Sequence, residues 1–243
     1  MTSQRMLRFQ DRASLVAQTA TLLIDAMSAR QAGAGEVSLC LTGGDLANEV
    51  LDQMAADAVS TPLKPENIHL WWNWDLFVAT DTPERNSLQA LSRLAGSMSL
   101  DPAKIHPIPS SSTSSDPEAG AAQYAQELQD NSPIDICLLE LRSNGEIAGI
   151  FPNHLNPPSL AWVAGVTDAP LSHPELITMT RLGLNACRQV WILASGDEVA
   201  PVLKQVCDED PSLPASYVTG KESVRWLIDA AAASLLPFHH CTL

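Results

Sequence analysis

Apolar positions along the chain follow two alternating rhythms. From Ser14 to Arg30, Leu15, Leu22, Leu23 and Met27 share a helical face amid alanines, and Gly33 and Gly35 close the segment. The unbroken apolar run Val37 to Leu41 then predicts a buried strand. Thr42-Gly43-Gly44 turns the chain into a helix starting near Asp45, with Leu46, Val50, Leu51 and Met54 on one side. The unit repeats. Ile68 to Trp74 reads as a second strand, followed by a helix near Asn86 to Leu94. After the Ser/Thr-rich loop Ser110 to Ser115, Asp116 is placed as an N-cap and Pro117 as the first helical residue of a helix reaching about Gln129. Ile134 to Leu141 and Val190 to Ala194 predict two more strands. Ser195-Gly196 opens a helix to about Val206, and Lys221 to Leu236 reads as a final amphipathic helix. Strands alternating with helices predict an α/β fold: an open, mostly parallel sheet with helices on both faces. Ligands in such folds lie beyond the carboxyl ends of the strands, so the loops after Leu41, Trp74, Leu141 and Ala194 are the places to search.

Composition narrows the function more than the fold. The chain has 243 residues, 45% hydrophobic, enough for one core, and no break divides residues 1–243 into separate domains. With 28 acidic against 14 basic residues, its formal charge of −14 argues against nucleic acid and against an anionic membrane surface. The five cysteines show neither CxxC spacing nor a paired framework. Cys40 and Cys137 lie in apolar runs, as small core residues of a reducing compartment would. No stretch has the length of a signal peptide or a membrane span, so a cytoplasmic protein is expected. His239 and His240 lack a third ligand, and no metal or cofactor is expected.

Four segments carry a more specific signal: Leu41-Thr42-Gly43-Gly44; Trp74-Asp75 through Asn86; Asp135 to Pro152; and Asn185 to Leu203. In order and spacing they resemble the 6-phosphogluconolactonase family, which shares its architecture with glucosamine-6-phosphate deaminases. Pro214-Ala215-Ser216 and Trp226 to Asp229 also fit the family's C-terminal end. The resemblance implies a Rossmann-like domain hydrolysing 6-phosphoglucono-δ-lactone in the pentose phosphate pathway, with a small sugar phosphate as partner.

Carried over residue by residue, that resemblance is incomplete. A phosphate needs backbone N–H groups at a helix N-terminus together with cations. Thr42, Gly43 and Gly44 keep the turn, but Asp45 and Leu46 replace the hydroxyl residues that follow it in the family. Asp45 would serve as a helix N-cap and repel an anion. Phe77, Leu176 and Val199 stand where the family carries Arg, Arg and Lys. The family's D-G-H aligns with Asn144-Gly145-Glu146, and its two preceding glycines with Glu140 and Arg142. Glu146 is a candidate general base if burial raises its pKa; the alternative is a solvated loop carboxylate. Asp75 is the second candidate base. Arg142 is a candidate phosphate contact, or a simple partner for Glu140. The run Trp71 to Trp74 reads as a ligand-stacking surface or as core, and His154 stands where the family often has a histidine.

Three outcomes stay open. One is a family protein with weakened or lost lactonase activity. Another is an active lactonase with a rearranged site. The third is a binding or regulatory protein, with an unidentified protein partner, or a hydrolase for an uncharged sugar or lactone.

Overall fold

The protein is described from a computed structural model covering residues 3–58, 61–152 and 160–237. Its centre is a seven-stranded sheet in the order β1-β10-β9-β6-β2-β3-β5. The strands are β1 (Ser3–Phe9), β2 (Val37–Leu41), β3 (Ile68–Trp72), β5 (Ile105–His106), β6 (Ile136–Glu140), β9 (Gln189–Ala194) and β10 (Ser223–Asp229), and every pairing among them is parallel. The middle strands are apolar on both faces: Leu39, Cys40, Cys137, Leu138, Leu139, Trp191, Ile192 and Leu193 are all fully buried. Parallel sheets covered on both sides read as continuous apolar runs for this reason.

The described residues form six α-helices: α1 (Arg12–Ala34), α2 (Asp45–Asp57), α3 (Asn86–Leu94), α4 (Pro117–Asp130), α5 (Arg181–Ala186) and α6 (Ala200–Cys207). Local chemistry fixes several starts. Asp11 and Ser14 form a capping box at α1. Asp116 accepts from the Ala119 N–H with Pro117 in the first turn, as the sequence predicts. No described helix is long and apolar enough to cross a membrane.

Two expectations need correction, and one strand is added. The segment expected to be a final helix is instead strand β10, sandwiched between β1 and β9. Val224, Trp226, Leu227 and Ile228 satisfy a helical period about as well as a buried strand, and pairing on both sides decides the matter. Strand β1 is an addition that the scattered charges of the N-terminal segment concealed. The run Ile68 to Trp74 breaks at Asn73, where the chain leaves the main sheet. Trp74–Leu76 forms β4 of a separate antiparallel sheet, β4-β8-β7, with β7 at Val163–Val166 and β8 at Leu176–Met179. Asn73 anchors this departure. Its N–H donates to the Leu41 carbonyl at 2.9 Å, its Nδ2 donates to the Leu138 carbonyl at 2.8 Å, and its carbonyl accepts from the Met179 N–H at 2.6 Å.

Candidate active site

Strand order locates the site. From β2 the chain builds β3 and β5 to one side, then β6, β9 and β10 to the other. The reversal leaves a crevice beyond the carboxyl ends of β2 and β6, the usual ligand position in open α/β sheets. A polar cleft of about 370 Å³ lies there, lined among others by Arg12, Asp45, Glu140, Arg142, Asn144 and Ser195. Glu198 and Val199 close its far side.

The turn after β2 lies behind this lining. Glu140, the last residue of β6, extends its carboxylate onto the N-terminus of α2, where Oε2 accepts from the Ala47 N–H at 2.9 Å. A Cβ added to Gly44 would lie 2.3 Å from that oxygen, so only glycine admits the carboxylate this close. Asn86 covers Gly43 in the same manner: an added Cβ would meet its Oδ1 at 1.9 Å. Asp45 is the first helical residue, Gly44 holds the N-cap position, and no side chain of the turn caps the helix. The expected capping by Asp45 is therefore replaced by Glu140, reaching across from β6. Burial raises the pKa of Glu140; the Ala47 N–H, then Arg142 and Arg12, oppose that rise. Thr42 is buried and Gly43 is screened, so the turn reaches the cleft only through Asp45 and Leu46.

Glu146 is neither solvated nor free. Its side chain is 4% exposed. Its Oε2 pairs with Arg142 Nε at 2.8 Å, and its Oε1 accepts from the Gly149 N–H at 2.6 Å. Burial outweighs these partners and lifts its pKa from 4.5 to about 7. The value suits a general base, but both oxygens are engaged and the residue is absent from the cleft lining. Arg142 is spent on this clamp and does not pair with Glu140. Asn144 turns its Oδ1 to the Glu146 N–H at 3.0 Å while facing the cleft.

Asp75 also leaves the list of bases. It is fully buried, and its oxygens accept from the N–H groups of Leu76, Asn86 and Ser87 and from the Ser87 hydroxyl. Arg85, itself buried, pairs with it at 3.0 Å. The carboxylate thus holds the start of α3 against β4. Trp71 and Trp72 are fully buried and Trp74 nearly so, settling that run as core. Leu176 and Phe77 are buried as well, Leu176 paired with Leu76 in the small sheet, and only Val199 of the three apolar replacements reaches the cleft. His154, His239 and His240 lie outside the described residues. Among the described residues no cluster of His, Cys, Asp or Glu is placed to hold a metal ion.

Arg12 is the cleft-lining cation that sequence reasoning missed. It is the first residue of α1, and its guanidinium grips Glu49 through Nε and Nη2 at 2.9–3.2 Å while lining the cleft. Recognising β1 would have exposed it, because the residue after a parallel strand's carboxyl end falls on the ligand edge. Ser195 adds a hydroxyl, which donates to Asp229 Oδ2 at 2.5 Å. Asp229 also accepts from the Gly196 and Ala232 N–H groups, so this carboxylate shapes the turn after β9.

Known proteins match both sequence and shape. The family described as glucosamine-6-phosphate isomerases/6-phosphogluconolactonase matches residues 10–226. A 6-phosphogluconolactonase of Streptomyces coelicolor is 32% identical over 242 residues, covering 94% of this chain and 93% of its own. One from Mycobacterium tuberculosis is 32% identical over 243 residues, covering 94% and 97%. The crystal structure of 6-phosphogluconolactonase from Thermotoga maritima superposes with a TM-score of 0.82 at 20% identity, over 94% of this chain and all of that one, and supports the fold. By profile, sequence identity and architecture together, this chain belongs to the 6-phosphogluconolactonase family.

Proposed function

We propose that this member of the family, a cytoplasmic protein of sugar-phosphate metabolism, keeps the family's cleft but no longer seats a phosphate at the α2 N-terminus. Its lactonase activity is then weakened or lost, and its partner is a small polyhydroxylated molecule such as an uncharged sugar or lactone. The observation that carries this reading is Glu140, whose carboxylate already occupies the helix N-terminus that would serve the anion. A phosphate about 4 Å from that carboxylate would be repelled by up to about 4 kcal/mol, roughly a thousandfold in affinity. The remaining lining does not compensate. Asp45 and Glu198 add carboxylates, while Arg12 and Arg142 are each engaged with another glutamate.

The test is hydrolysis of freshly generated 6-phosphoglucono-δ-lactone, corrected for spontaneous hydrolysis, beside calorimetric titration with inorganic phosphate. The parent protein is expected to stay near background in both, and Glu140→Gly to gain phosphate affinity by tenfold or more. Robust hydrolysis by the parent would overturn the reading. A second reading has one observation in its favour, the pKa of Glu146 near 7, which suits a base once Arg142 swings aside. It predicts hydrolysis by the parent that Glu146→Gln abolishes.

A further inference from the structure

On the far side of β3 from the strands that build the cleft lies a second cluster of titratable groups, which the proposed function does not use. His69 on β3 and His106 on β5 meet ring to ring, with Nδ1 of His69 and Nε2 of His106 3.1 Å apart and the ring planes within 12° of each other. The outer nitrogens face carboxylates: His69 Nε2 lies 3.2 Å from Glu36 Oε2, and His106 Nδ1 lies 2.6 Å from Glu127 Oε1 on α4. Lys104, from the turn before β5, holds the other oxygen of Glu36 at 2.7 Å. That bond first, and the His69 contact second, keep the Glu36 carboxyl below its ordinary value, which makes it an acceptor. On the remaining sides are the Trp71 ring, stacked on His106 at 3.8 Å, and the Tyr124 hydroxyl, which donates to the His106 carbonyl.

Counting protons gives the state of this chain of groups. Three contacts must each hold one proton: Glu36 to His69, His69 to His106, and His106 to Glu127. Two neutral imidazoles bring only two protons between them. A third makes the pair a single cation and completes every contact. A fourth sets N–H against N–H at the centre. With only two, a lone pair must face another lone pair or a carboxylate.

We propose that His69 and His106 share one proton as a singly charged clasp tying the β3–β5 edge to α4, and that the clasp opens when the pair gains or loses a proton. Acid and alkali then weaken the same contact by opposite routes.

Two measurements on the intact chain test the clasp without reference to lactone hydrolysis. Thermal unfolding of the parent, His69→Gln, His106→Gln and the double variant between pH 5 and 9 gives a coupling at each pH. The expected coupling peaks at intermediate pH at about 2–4 °C in Tm and vanishes toward both ends. Nitrogen-15 spectra of the two imidazoles in the parent are expected to show three ring protons at the pH of maximal coupling. Coupling that is flat with pH, or spectra showing two neutral or two cationic rings at that pH, would overturn the proposal.

Discussion

The turn after β2 and the loop after β6 face each other across the cleft and have fared in opposite ways. The first keeps Thr42, Gly43 and Gly44, the residues that suit it to bind an anion. The second carries Glu140, Arg142 and Glu146. In the folded chain the Glu140 carboxylate sits on the turn from the end of β6, and Arg142 and Glu146 are spent on each other. The turn shows how a neighbouring strand can cover a helix N-terminus with a carboxylate. Its sequence records the seat, and the facing strand records the occupant.

Asp75 holds the backbone of Asn86, whose side chain covers Gly43 of the first turn, and replacing it is the harshest test of that comparison. Asp75→Ala leaves Arg85 charged and unpaired in the interior, an expected loss of about 3–5 kcal/mol in denaturant unfolding. A loss of activity with stability intact would restore Asp75 to the catalytic list. Gly44→Ala comes next. Its φ of +139° and the nearby Glu140 oxygen predict a loss of about 1–3 kcal/mol. In a Glu140→Gly background the steric part of that loss should disappear, leaving the backbone strain. Equal losses in the two backgrounds would mean that the carboxylate does not sit on the turn.

Glu146 gives a pH test of the opposite loop. Its folded pKa of about 7 lies above its ordinary 4.5, so the native state retains a proton that the unfolded chain releases. Stability from this group is present in full below about 4.5, is lost as pH rises to about 7, and stays level above it. The loss is at most about 3 kcal/mol, at 1.36 kcal/mol for each pH unit. Glu146→Gln removes the slope, so its stability relative to the parent should improve between pH 5 and pH 8. An unchanged difference would show that the carboxylate is not buried as described. The smallest effect belongs to Arg12→Gln. The Arg12–Glu49 pair is nearly half exposed, and its loss should cost no more than about 1 kcal/mol in the same unfolding assay.

Those differences in burial also explain what could be read from the sequence. Periodicity found β2, α3 and the start of α4 nearly to the residue, because each carries its own signal: a continuous apolar run, an amphipathic stripe, an Asp-Pro start. It misread β10, whose apolar residues suit either period until β1 and β9 close on both sides. It missed β7 and β8, short strands defined by pairing rather than by composition. At the site, the resemblance pointed to Leu41 to Gly44 and to Asn144 to Glu146. The clamp between Arg142 and Glu146 was not, since nothing in their spacing distinguishes a solvated loop from one folded over Gly149. Arg12 was hidden for a different reason: its place on the cleft depends on a strand that its own neighbourhood did not announce.

That strand has a consequence for how the molecule is assembled. β1 is made before every other described strand, yet among the described residues it pairs only with β10, with Ser3 set against Ser223 and Phe9 against Asp229. Throughout translation of the intervening residues it remains an edge without a partner, and its pairing closes one of the longest loops the chain must close. Arg12 follows it by three residues, so this cation of the cleft is held in register only once β10 has docked.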